Sequence, residues 1–429
     1  MSENSPPAGV SEPRAPRIPL WQVLLKPPML MALLMGFASG LPLLLTIRTL
    51  QAWMTEVGVD LKTVGIFALA GLPYNLKFVW APLLDRYSVE LLGRRRFWML
   101  LSQLGLVGAI VGMALTDPKE QTAQLAFFSV LVAFFSATQD IVIDAYRRET
   151  LLETELGLGS TFYVYGYRVA TLVSGAAALG MASRIGWSET YLVMAAIMGL
   201  TMGVTLLAKE PQVESLPPRS LQEAVVAPLQ EFLTREGAWL ILAFVLLYKV
   251  GDTMAGAMAT PFYIQTGFTK DQIAAIAKTF GLFSNLGGSL LGGLLLVRLG
   301  MVRSLFTFGV LQAGSTLAFA SLALVGPHVT ALTAVIAFED LSSGMGTAAF
   351  VAFMASLTDK RYTATQYALL SSLMGLPRTV LSAPTGWMVE QLGWPLFFVV
   401  CGLLAIPGLL LIHAVARLRG EEGGNPASG

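Results

Sequence analysis

Apolar residues in this chain gather into runs of about twenty, the length that carries a helix across a hydrocarbon core of roughly 30 Å. The first six runs fall at 29–54, 62–84, 97–115, 123–146, 158–184 and 188–208. Six more fall at 237–265, 271–297, 304–325, 330–357, 364–390 and 394–416, and the twelve are numbered spans 1 to 12 in chain order. Helix is the expected form, because an open strand in hydrocarbon leaves its backbone unpaired. The pattern predicts an all-α membrane protein with about twelve transmembrane helices.

The polar breaks organise these spans. The longest, 209–236, carries Pro211, Pro217, Pro218 and Pro228 and divides the spans into two sets of six. The expected layout is a disordered tail over 1–28, a six-helix half over 29–208, a central loop over 209–236, a second half over 237–416 and a tail over 417–429. Two anchors relate the halves. Gly58-Val-Asp-Leu-Lys-Thr-Val-Gly lines up with Gly267-Phe-Thr-Lys-Asp-Gln-Ile-Ala, and Gly186-Trp187 with Gly393-Trp394, at offsets of 209 and 207. Such parallel halves resemble the repeat of the major facilitator fold.

Charge placement orients the chain. Loops on the N-terminal side hold eighteen Lys and Arg, among them Arg94, Arg95, Arg96, Arg147, Arg148 and Arg361. The opposite loops hold four: Lys62, Lys119, Arg184 and Lys270. The positive-inside rule therefore expects both termini in the cytoplasm. Composition agrees, with 55% hydrophobic and 13% charged residues against about 25% charged in a soluble domain. A net charge of +1 gives no reason to expect nucleic acid as a partner. The first 28 residues lack the pattern of a cleaved signal peptide. Cys401 stands alone, and His328 and His413 are too far apart for a metal-ligand spacing, so neither metal nor cofactor is expected. With no Walker loop, no Ser/His/Asp grouping and no large extramembrane domain, no enzyme is expected either.

Eleven ionisable residues nevertheless fall inside the spans: Arg48, Lys77, Asp140, Asp144, Arg168, Lys249, Asp252, Lys278, Glu339, Asp340 and Arg378. Each costs about 2.5–3.5 kcal/mol at a helix centre unless it meets water or a partner. A packed bundle needs none of them, whereas a polar transport pathway does. Similar depths suggest pairing of Asp140 with Arg168, of Lys249 with Asp252, and of Glu339 or Asp340 with Arg378. Lys278 lies close enough to an end to snorkel.

The loop between spans 2 and 3 reads Ala81-Pro-Leu-Leu-Asp85-Arg86-Tyr87 and then Gly93-Arg94-Arg95-Arg96. It resembles the Gly-x-x-x-Asp-Arg-x-Gly-Arg-Arg loop of the major facilitator superfamily, with Ala81 in the Gly position and an insertion after Tyr87. The resemblance implies a latch between the halves, Asp85 facing a helix N-terminus and Arg86 pairing with an acid, for which Asp144 is the candidate. Arg94, Arg95 and Arg96 are expected only to set topology.

Closer similarity runs through Gly36-Phe-Ala-Ser-Gly-Leu-Pro, Gly71-Leu-Pro-Tyr-Asn-Leu-Lys77, Thr138-Gln139-Asp140-Ile-Val-Ile-Asp144-Ala-Tyr and Tyr163-Val-Tyr-Gly-Tyr-Arg168. These segments resemble the AmpG-type muropeptide permeases, densely over 30–210 and more thinly beyond. The resemblance implies proton-linked import of anhydromuropeptides (GlcNAc–anhydroMurNAc peptides from cell-wall turnover) across a bacterial inner membrane, and a monomer is the expected state. Two departures are Arg48, where small polar residues are usual, and the lack of the extra C-terminal hydrophobic segments of longer members. The broad family also includes acetyl-CoA transporters, which leaves another large anion, an acyl-CoA or an oligosaccharide, as the alternative cargo. A carboxylate-bearing cargo expects cationic anchors at Arg168, Lys249 or Arg378, with Arg48 at the outer mouth. Sugar rings expect flat or hydrogen-bonding walls at Tyr163, Tyr165, Tyr167, Tyr248 and Gln139. Asp140, Asp252, Glu339 and Asp340 are the expected carriers of the coupled proton.

Overall fold

The computed structural model describes residues 26–87, 89, 92–211, 220–381 and 384–418. Most of both expected tails, at 1–25 and 419–429, lies outside the described residues, as does 212–219 of the central segment. The described residues form helices joined by short turns, with one isolated bridge, Val89 to Gly93. Eight of its helices are long and apolar enough to cross a membrane, covering spans 1, 3, 4, 6, 7, 8, 9 and 12. The other four are spans 2, 5, 10 and 11, where polar residues or helix breaks lower the apolar run.

Those breaks have local causes. Span 2 passes through short α and 3-10 pieces over 61–86, where Pro73 and Pro82 remove backbone donors. Span 1 breaks at Ile47, between helices Pro27–Leu45 and Arg48–Glu56. Spans 5 and 8 each contain a π segment, at Val173–Ala177 and Ile273–Phe280. Helix Thr385–Leu403 runs from the end of span 11 into span 12 and is broken at Gly393, the boundary the apolar runs suggested.

The halves match in conformation where the sequence anchors align. Gly58 and Gly267, Gly93 and Gly300, and Gly186 and Gly393 all take positive φ between spans, a region that favours glycine. The indole of Trp187 donates to Glu56 at 3.0 Å, and the indole of Trp394 donates to Gln265 at 3.0 Å. The same indole therefore ties the same inter-helix corner in both halves.

Small residues let the spans approach closely. Gly36 and Gly40 of span 1 lie against the backbone of Tyr163 and Tyr167 in span 5, and Gly288 and Gly292 of span 8 lie against Leu341 and Met345 of span 10. Gly108 of span 3, by contrast, has open space where its Cβ would stand, while Gly112 one turn on lies against the Phe128 ring. A Cβ at Gly288 would overlap the Leu341 carbonyl. Gly288→Val is accordingly expected to destabilise the second half by about 1–3 kcal/mol, read as a lower melting temperature in detergent, and an unchanged melt would refute this packing. Outer faces carry exposed Leu104, Phe127, Leu200, Leu207, Trp239 and Phe283, apolar surface suited to lipid.

Extensive packing between the halves is confined to the side bearing Arg94, Arg95, Arg96, Arg147 and Arg361, called here the basic side. There span 5 meets spans 8 and 10, span 4 meets span 11, and the basic-side end of span 2 meets span 11. One apolar cluster there joins Leu151, Leu156 and Leu158 to Phe350, Phe353 and Leu296 across the halves. The outer pieces 48–66, 173–185 and 250–266 share no comparable packing across the halves. The structure is closed on the basic side. The central segment, expected as loop, contains helix Leu221–Leu233. Ser220 caps it by accepting from the Glu223 backbone N–H at 3.0 Å, and Ala224 and Phe232 bury its apolar face.

Candidate functional site

The first half places a polar cluster between spans 1, 4 and 5. Ser39 of span 1 donates to Asp140 of span 4, and its hydroxyl also meets the Tyr163 hydroxyl at 2.9 Å. Gly36 and Gly40, flanking Ser39, allow the close approach that makes this possible. Lys77, buried in the broken part of span 2, lies within electrostatic reach of Asp140 and Asp144. The expected Asp140–Arg168 pair does not form. Arg168 is five residues beyond Tyr163, about 140° around the helix, so it turns away from Asp140 and stays half-buried with no ion pair among the described residues. Gln139 is fully buried and neither amide atom finds a partner among the described residues.

The second half builds a matching cluster from spans 7, 9 and 10. Lys249 Nζ reaches Asp252 at 3.4 Å and the Thr347 hydroxyl at 3.0 Å, so the suggested pair is present. The break at Lys249, between helices Ala238–Leu247 and Val250–Thr266, sets this geometry. Ser315 donates to Glu339, and Asp252 lies within electrostatic reach of Glu339. The Gln312 amide approaches Asp252, but its Nε2 lacks a partner of good hydrogen-bond geometry and lines a small cavity with Asp252, Tyr248 and Thr316. Asp340 is half-buried, and its backbone carbonyl accepts from Asn285 at 3.1 Å. The side chains of Lys278 and Arg378 lie outside the described residues.

Lys249 and Asp252 keep 14% and 17% of their side-chain surface exposed in the interior of a span. Partial exposure to lipid at that depth is costly, so these groups face water inside the bundle. Tyr165, Tyr167 and Arg168 are likewise partly exposed. Tyr248 borders the small cavity beside Asp252 but is otherwise packed inside the second half. It is core, stacked on Phe350 and donating to the Leu305 carbonyl at 2.8 Å. Arg48 is exposed at the start of helix Arg48–Glu56.

The latch loop is built differently from expectation. Asp85, fully buried, accepts from the Thr365 backbone N–H at 2.9 Å, the Ala364 N–H at 3.3 Å and the Thr365 hydroxyl at 2.8 Å. These donors open helix Thr363–Val380 of the other half, whose N-terminus favours a negative charge. Its cationic partner is Arg95 at 2.8 Å, not Arg86. Arg95 is fully buried, also holds Glu149, and is the second residue of helix Arg94–Ala114, where Glu210 caps the Arg95 and Arg96 backbone N–H groups. Arg86 is half-buried over its own neighbour Tyr87, and Asp144 pairs with Arg147 at 3.1 Å. Only burial separates Arg95 from its neighbours in the Arg94-Arg95-Arg96 run, and the sequence carries no sign of it. Beside the latch, partial burial would raise the Asp359 carboxyl, but the Arg361 guanidinium 3.0 Å away outweighs it and holds it below the usual carboxylate range.

Residues 64–381 match the family described as Major Facilitator Superfamily. The anhydromuropeptide permease of Escherichia coli (strain K12) is 44% identical over 383 residues, covering 89% of this chain and 78% of that protein. A putative transporter, AmpG 4, of Rickettsia felis is 35% identical, covering 88% of this chain and 94% of its own length. In three dimensions the chain is similar to the crystal structure of the transporter FucP in its outward conformation, with a TM-score of 0.70, 15% identity and coverage of 91% and 99%. That likeness establishes the fold.

Proposed function

This chain belongs to the major facilitator superfamily, and from that premise we propose that it imports anhydromuropeptides into the cytoplasm, coupled to protons, by alternating access. The observation that carries the cargo is the 44% identity with the Escherichia coli anhydromuropeptide permease over 89% of the chain. The buried charges supply a reason for the coupling. Asp140 in the first half, and the Asp252–Glu339 pair in the second, are acids held in interior clusters beside Lys77 and Lys249. A cargo carboxylate that draws Lys249 away leaves Asp252 without its counter-ion. The acid pair then binds a proton more tightly, which links cargo binding to proton uptake.

Partly exposed Arg168 and Lys249 are the described cations available to hold cargo carboxylates, with Tyr165 and Tyr167 beside sugar rings and Arg48 at the outer mouth. Asp140, Asp252, Glu339 and Asp340 remain the candidate proton carriers, and Arg378 remains a candidate anchor. The basic side is the cytoplasmic one by the positive-inside rule, so the closed structure faces outward in a bacterial inner membrane. Each half supplies charged groups, so a single chain makes the pathway.

Vesicles containing the protein and carrying an imposed inward proton gradient are expected to accumulate labelled anhydromuropeptide, and collapsing the gradient is expected to end accumulation. Folded protein that shows no gradient-dependent uptake would overturn the reading. Uptake of an acyl-CoA or a plain oligosaccharide in its place would move the cargo to another large anion.

A further inference from the structure

Arg147 lies two helical turns, roughly 10 Å, nearer the basic side than Asp140, and it is the cation the sequence marked only as a loop charge. Its guanidinium is buried between two rings from opposite halves, 4.5 Å over Tyr163 of span 5 and 5.6 Å from Tyr367 of span 11. The Nη2 group donates to the Tyr367 hydroxyl at 2.9 Å and to Asp144 at 3.1 Å. Its Nε and Nη1 donors have no partner among the described residues, and the side chain borders a small cavity also lined by Tyr146, Thr150, Met35 and Tyr163. Buried guanidinium donors without acceptors are costly, so this face is set for an acceptor that the closed structure does not supply. Tyr163 connects it through Ser39 to Asp140, the acid of the first-half cluster.

We propose that Arg147 and Tyr367 form an inner gate between the halves, and that opening it hands the cargo carboxylate to the unused donor face of Arg147. While the gate is closed, the guanidinium ties span 4 to span 11 through the Tyr367 hydroxyl. Separation of the halves on the basic side removes Tyr367 and uncovers a planar fork of N–H groups. Such a fork matches a carboxylate in two parallel hydrogen bonds, which an ammonium cannot do. The gate stands on the geometry alone, whereas the handover rests on the anionic cargo of the proposed function.

The test uses the full chain in lipid nanodiscs and vesicles. A cysteine introduced as Leu158→Cys sits in the cross-half apolar cluster on the basic side, and the native Cys401 is buried. Tyr367→Phe keeps the ring and removes the hydroxyl, and it is expected to speed thiol modification of Leu158→Cys by roughly tenfold or more. An unchanged rate overturns the gate. Arg147→Lys keeps the charge beside Asp144 and removes the fork. It is expected to slow uptake of anhydromuropeptide about tenfold relative to an analogue whose peptide carboxylates are amidated. Equal slowing of both cargoes overturns the handover. A parent chain that takes up neither cargo overturns the muropeptide reading together with the handover, while the thiol assay still decides the gate.

Discussion

Asp140→Asn is expected to end proton-driven accumulation of cargo while the protein still folds and inserts. Asparagine keeps the shape of the side chain and can still accept from Ser39, so the contact between spans 1, 4 and 5 survives. What it loses is the ability to take up and release a proton beside Lys77. Each coupled proton contributes about 2.3 kcal/mol per 100 mV of membrane potential, so losing one lowers the accumulation ratio by roughly 50-fold at that potential. Vesicle uptake with and without a gradient reads the effect, and counterflow exchange separates lost coupling from lost binding. Accumulation equal to that of the parent would remove Asp140 from the coupling and leave the Asp252–Glu339 pair to carry it.

Arg95→Leu is expected to undo the closed state more completely than any other single change at the latch. Its removal strands the fully buried Asp85 side chain without its cation and leaves Glu149 only Arg94, at 3.2 Å. Breaking a buried ion pair by deleting one partner costs about 3–5 kcal/mol, which shifts the balance between closed and open forms by at least about 100-fold. Thiol modification of Leu158→Cys should rise accordingly, and a melting curve distinguishes opening from unfolding. Arg86→Ala is the control. Among the described residues Arg86 makes no ion pair and lies over its neighbour Tyr87, at 5.1 Å from the ring, a contact on the order of 0.5–1 kcal/mol. Equal effects of the two changes would mean that the loop acts through its charge alone.

Much of this protein was legible along the chain. Apolar run length marked eight spans outright and, with the polar breaks between them, placed four more, because a helix satisfies its own backbone and about twenty residues match the hydrocarbon thickness. Glycines at equivalent turns betrayed the repeat, because a positive φ between helices admits few other residues. The buried charges pointed to a polar pathway, and Lys249–Asp252 could be paired because residues three apart share a helix face.

Contacts between distant segments were decided only in three dimensions. A span's sequence sets the angles between its own side chains but not its rotation against its neighbours, which packing at Gly36, Gly40 and Gly166 controls. That rotation turned Arg168 away from Asp140 and brought Ser39 and Tyr163 to it instead. The latch follows the same rule. Asp85 meets a helix N-terminus some 280 residues along the chain, and three consecutive arginines differ only in which one the fold buries. Arg147 read as one more basic loop residue until span 11 placed Tyr367 against it. Hydrophobic length is a property of each segment alone, whereas the partner of a buried charge is chosen by every helix that closes around it.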